Sequence, residues 1–249
     1  DLTGLFIEKG PVVQVRDSRN RVKVERDFDD KLVYDGPLAV LVDRFSASAS
    51  EIFAAAIQDY RRGIIVGTQT FGKGTVQNIL PISRFFPHSK EKLGQVKFTI
   101  AKFYRITGGS TQNVGVLPDI RIPDRYEFME VGERSEKNAL LWDEIKPVQY
   151  QPVHPELERL LPRLKKLHQV RVGQSEEFRL MMDDIERLKQ EKERNMISLN
   201  MEQRRKEREQ RQALKKKLKS LHKASGHDDK EDFYLIETAH ILSDYLQIQ

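Results

Sequence analysis

The chain has 249 residues, 33% of them charged, and a formal net charge of +5. That length supports one large or two modest domains with a real core. Cysteine is absent, which excludes disulfides and thiolate chemistry, and no run of eighteen apolar residues is available to span a membrane. The opening "DLTGLFIEKG" lacks the basic and long apolar regions of a signal peptide and reads as the middle of a fold, so preceding sequence is expected.

In chain order, "VVQVRD" and "RVKVERD" alternate apolar and polar residues around the turn residues Ser18 to Asn20, which predicts a hairpin. "LAVLVD" (Leu38 to Asp43) is a short apolar run suited to a buried strand. "SEIFAAAIQDY" (Ser50 to Tyr60) is alanine-rich and free of glycine and proline, so it predicts a tightly packed helix. "IIVGT" is the next strand, and strand, helix, strand implies a parallel βαβ unit. "VQNIL", a polar insertion, the long "VKFTIAKFYRI" and an extended "NVGVLPDIRIPD" follow. After about Tyr126 the texture turns helical. Leu157, Leu160, Leu161, Leu164 and Leu167 recur at helical spacing behind Pro155, as do Phe178, Met181, Met182, Ile185 and Leu188 behind Ser175. A basic run from Met201 to Leu221, a break over Ala224 to Asp232 and a last amphipathic helix "FYLIETAHILSDYLQ" complete the chain. The division expected is 1–128 for an α/β core and 129–249 for an all-α domain.

"GTQTFGKGT" (Gly67 to Thr75) matches a phosphate-binding loop up to its last position. Gly74 stands where the magnesium-binding hydroxyl belongs, and a strand rather than a helix follows, so nucleotide binding is not expected. Lys73 then sits in a glycine-flanked turn between two strands. Upstream, "DRFSASASE" places serines where a strand ends and a helix begins, a position at which free helix amides can stabilise an oxyanion. Ser48 is best placed as a nucleophile, with the Ala49 amide beside it. The spacing Ser48-Ala49-Ser50-Glu51 also fits a capping box, which would make Ser48 a simple N-cap. No histidine precedes His88, so nothing positions a Ser-His-Asp triad, which stays an open alternative, and lysine is the other known partner for a serine. The βαβ geometry returns Lys73 to the sheet edge near Ser48. A lysine base must be neutral, which burial favours, and Phe71 could supply an apolar wall. An exposed turn lysine is the competing reading.

"LVDRFSASASEIFAAAIQDYRRGIIVGTQTFGKGTVQ" and "FYRITGGSTQNVGVLPDI" resemble the C-terminal processing peptidases, and most of all the tail-specific proteases of Gram-negative bacteria. The resemblance covers residues 1 to 145 and, more loosely, the helical region. It implies a ClpP/crotonase-like α/β protease core, incomplete here, followed by an all-α domain. It implies Ser48 as nucleophile, Lys73 as general base, Gln77 orienting that lysine and Ala49 as an oxyanion donor, with no cofactor or metal. The second oxyanion donor and a PDZ domain that captures apolar C-termini of protein substrates are expected upstream, so this polypeptide alone is expected to be inactive or weak. A periplasmic location, with inner-membrane association, is implied as well. Asp59 is associated with the family's site, but it lies eleven residues after Ser48, roughly 16 Å along a helix. A structural role is expected for it, paired with Arg61 or Arg62.

Glutamates interrupt the basic run and no aromatic residue interleaves it, so nucleic-acid binding is not expected. A competing expectation is that the helical half docks an adaptor or a second copy through a seam of Leu214, Leu218 and Leu221. His222, His227 and Asp228 fit no zinc spacing.

Overall fold

The computed structural model describes residues 2–88, 91–194, 196–224 and 232–248, with side chains undescribed at 215, 218, 219 and 221–224. Its contacts separate two compact units, one of residues 1–119 and 130–155, the other of 120–129 and 156–249.

The first unit opens with a 3-10 turn at Leu2–Leu5 and the strands β1 (Gly10–Asp17) and β2 (Val22–Asp27). These form the expected antiparallel hairpin, with Arg16 opposite Val22 and the turn held by Asn20 at φ 61°. Next come β3 (Ala39–Val42), α1 (Ala49–Asp59) and β4 (Ile64–Gly67), and β3 and β4 pair in parallel as a βαβ unit requires. β5 (Thr75–Pro81) and β6 (Gln95–Tyr104) complete an antiparallel sheet of order β2-β1-β6-β5. The alanine face of α1 explains the tight packing. Ala54, Ala55 and Ile57 are buried against Val42, Ile65 and Val116. Small side chains let the helix approach the sheet closely, and aliphatic residues fill what remains.

The second unit opens with β7 (Ile120–Arg121), the one strand within "NVGVLPDIRIPD". Here lie α2 (Leu157–Gln174), α3 (Glu176–Glu193), α4 (Met201–Ala224) and α5 (Phe233–Ile248). Pro155 stands ahead of α2 rather than in its first turn, while Ser175 caps α3, its hydroxyl accepting from the Phe178 amide at 3.1 Å. Of the predicted stripes Leu157, Leu164 and Ile185 are buried, as is Leu180, which the stripe of α3 did not include. The side chains of Leu218, Leu221 and His222, the residues His227 and Asp228, and most of the expected break fall outside the described residues.

Candidate active site

The site grows from the loop joining β3 to α1. Asp43 accepts from the amides of Phe45 and Ser46, which folds the loop back on the strand end. Ser48 follows as the N-cap of α1 at φ 56°, ψ −110°, a strained conformation for a residue with a side chain. The capping box forms, since the Ser48 amide donates to Glu51 Oε2 at 2.8 Å. The box holds the Ser48 backbone in its strained turn. Ala49 is the first residue of α1 and is exposed, so its amide belongs to the helix's unsatisfied first turn.

Lys73 arrives from the other end of the βαβ unit. It lies in the segment between β4 and β5, half-buried, and the expected strand follows it. Its neighbours must be glycine. A Cβ on Gly72, at φ 89°, would stand 3.0 Å from the Asn113 carbonyl carbon, and one on Gly74 would stand 2.6 Å from the Gln112 amide nitrogen.

One carboxylate ties the two segments together. Glu51, fully buried, accepts from the Ser48 amide through Oε2 and from the Lys73 amide through the same oxygen at 2.9 Å. Its Oε1 accepts from the Gly72 amide at 2.7 Å and the Thr70 hydroxyl at 2.6 Å. The Phe71 amide adds a bond to the Ser46 carbonyl at 2.9 Å. Burial pushes the Glu51 carboxyl up from its ordinary value, and the four donors oppose that rise. The sequence showed Glu51 only as a capping partner. Its other ligands lie 19 to 22 residues on, beyond any local pattern.

The side chains of Ser48 and Lys73 make no direct hydrogen bond to each other among the described residues, and their backbones are what the structure brings together. Gln77 is exposed on β5, next to the bulge between Val76 and Gln77, with no bond to Lys73 among those described. Phe71 is half-buried beside the lysine. A groove of about 750 Å³ lies along β3, the edge strand of its sheet, and reaches Ser46, Ala49 and Ser50.

Asp59 has a different partner from the one expected. It is buried and paired with Arg105, whose Nε donates at 3.1 Å, in place of Arg61 or Arg62. Arg62 instead donates to the carbonyls of Phe6 and Tyr34, each at 2.7 Å. The Asp59–Arg105 pair fastens the far end of α1 to the chain after β6, which is a structural task. Among the described residues no cluster suited to a metal ion occurs.

Residues 1–122 match the family model of peptidase family S41, and residues 126–247 match that of the C-terminal domain of tail specific protease. The chain is 39% identical over 260 aligned positions to the tail-specific protease of Haemophilus influenzae, covering 98% of this chain and 37% of that protein. It is 40% identical to the carboxy-terminal-processing protease of Bartonella bacilliformis, covering 52% of this chain and 29% of the relative. The chloroplastic C-terminal processing peptidase of Tetradesmus obliquus is 32% identical, with 47% and 24% covered. The fold thus belongs to a serine-type peptidase family. The chain is a member of the C-terminal processing peptidases, of the tail-specific protease type, and spans about a third of the length of the curated relatives it matches.

Proposed function

We propose that this chain carries the nucleophile and the base of a serine endopeptidase of the Ser-Lys type. The observation that carries the reading is the Glu51 carboxylate shared by the Ser48 and Lys73 amides. Neutral Lys73 takes the proton of Ser48 Oγ as that oxygen attacks the scissile carbonyl carbon. The Ala49 amide receives the oxyanion. Collapse expels the amine, which leaves with the proton held by Lys73, and a water deprotonated by Lys73 then hydrolyses the acyl-enzyme. Gln77, re-aimed by the bulge beside it, orients the lysine amine. Substrates are proteins presenting apolar C-termini, captured by a PDZ domain in preceding sequence. That sequence also brings a second oxyanion donor, and the protein works in the periplasm. No helix among the described residues is long and apolar enough to cross a membrane.

The test is turnover of a protein with an apolar C-terminus by the complete enzyme. Ser48→Ala and Lys73→Ala should each lower kcat by about a thousandfold or more, with no added loss in the double variant. Full activity in either single variant refutes the reading. A docking role for the helical half is favoured by exposed Met196, Ile197 and Leu199 between α3 and α4. Light scattering that finds only monomers, with no bound adaptor, argues against it.

A further inference from the structure

The lysine turn is gripped from two sides, and the second grip has no place in the mechanism above. All four amides from Phe71 to Gly74 donate to acceptors outside the turn. Three go to Ser46 and Glu51 on the nucleophile side, while Gly74 N–H donates to Gln112 Oε1 at 2.8 Å. Gln112 is completely buried. Its Nε2 donates to the Leu140 carbonyl at 3.1 Å and to Glu133 Oε1 at 3.2 Å. Beside it the Asn113 amide donates to the Gly72 carbonyl at 2.7 Å, and the Glu133 amide donates to the Phe71 carbonyl at 3.0 Å. Residues 133 to 140 thus form a strap that lies over Gln112 and the lysine turn. By family model this strap belongs to the C-terminal domain, yet it packs within the first unit.

We propose that Gln112 is a positioning residue for the lysine turn, joining it to this strap, so that the C-terminal-domain sequence helps set the place of the catalytic amine. The proposal rests on the reading of Lys73 as the base. A turn with no hydrogen bonds of its own takes its shape from what holds it. The amine ends a flexible four-carbon stem, so its position follows the Cα of Lys73. A displacement of about 1 Å at a reacting group costs on the order of a hundredfold in rate. Substrate binding would be little affected, because Gln112 is buried away from solvent.

The test uses the complete enzyme on a peptide substrate. Gln112→Met keeps the volume and removes the bonds, and should lower kcat by about tenfold or more with KM held within about twofold. Gln112→Glu combined with Glu133→Gln reverses the donor and acceptor between these side chains and should recover much of the loss relative to Gln112→Glu alone. A folded Gln112→Met enzyme with parental kcat overturns the proposal, and so does a loss confined to KM. Should Gln112→Met fail to fold, Glu133→Ala at the half-exposed end of the network decides the matter, a fall in kcat supporting the proposal and an unchanged kcat overturning it. Lys73→Ala is run alongside. Activity surviving in that variant means the base assignment has failed, whereas its inactivity beside a fully active Gln112→Met means that only the positioning role has.

Discussion

At the residue scale the site turns on Glu51. A carboxylate out of water is tolerated only where donors surround it, and here three amides and a hydroxyl converge on its two oxygens. Glu51→Gln turns one oxygen into an NH₂ that faces donors, leaving buried N–H groups unpaired. It should cost about 2 kcal/mol in unfolding free energy. Activity should fall further than stability, because Ser48 and Lys73 lose their common tether; urea unfolding and turnover on the same variant separate the two effects. Because burial holds the Glu51 carboxyl above its ordinary value, the folded state binds its proton more readily than the unfolded chain does. Its contribution to stability therefore declines as pH rises from 4.5 through that raised value. The proposed nucleophile and base stand in the sequence as a serine at a helix start and a lysine between glycines. The clamp between them was not legible there, because Thr70, Gly72 and Lys73 become ligands of Glu51 only after the βαβ unit closes. The partner of Asp59 was hidden for the same reason, Arg105 lying 46 residues away.

Among the elements, hairpin and helix followed the sequence closely wherever a period repeated, as at Val12 to Val24 and along the leucines of α2. What periodicity could not show was a charged centre on an apolar face. Glu237, on α5, is buried and accepts from Arg171 of α2 at 2.8 Å, with His168 Nδ1 at 2.7 Å. Arg171 also reaches Asp244 at 2.7 Å. Burial pushes the Glu237 carboxyl up, but the bonds from His168 and Arg171 outweigh it and hold the group below its ordinary value. This contribution is fully present above pH 4.5 and is lost as pH falls through the lowered value. Acid titration followed by hydrogen exchange should show α5 amides losing protection in that window. Arg171→Ala should destabilise the helical unit by about 3 kcal/mol at neutral pH, since it leaves the buried Glu237 carboxylate with His168 alone of the two partners named above. Unchanged α5 protection in that variant would mean the ion cluster does not fasten the helix.

Across the whole molecule, sequence order and packing diverge. A reader of texture sees strands and then helices and draws one boundary, but residues 130–155 return to the first unit. Their return depends on contacts with no local signature. Trp142 donates to the Ser110 carbonyl at 2.8 Å, Val153 donates to the Tyr60 carbonyl at 2.7 Å, and Asp143 pairs with Arg16 and Lys102. Burial raises the Asp143 carboxyl, and the hydrogen bonds from Lys102 and Arg16 more than offset this, leaving it below its ordinary value. Trp142 is the only tryptophan in the chain, so its emission reports this segment directly. Emission should shift to longer wavelength as pH falls below 3.8, when Asp143 loses its charge and the segment loosens. Asp143→Asn should bring the shift to neutral pH.

The most direct measurement of the central claim is intact mass after treatment of the complete enzyme with a serine-directed acylating probe, with the adduct mapped by peptide sequencing. One adduct is expected, on Ser48, absent in Ser48→Ala and strongly slowed in Lys73→Ala. An adduct on another serine, or labelling of Ser48 at an undiminished rate without Lys73, would contradict the account.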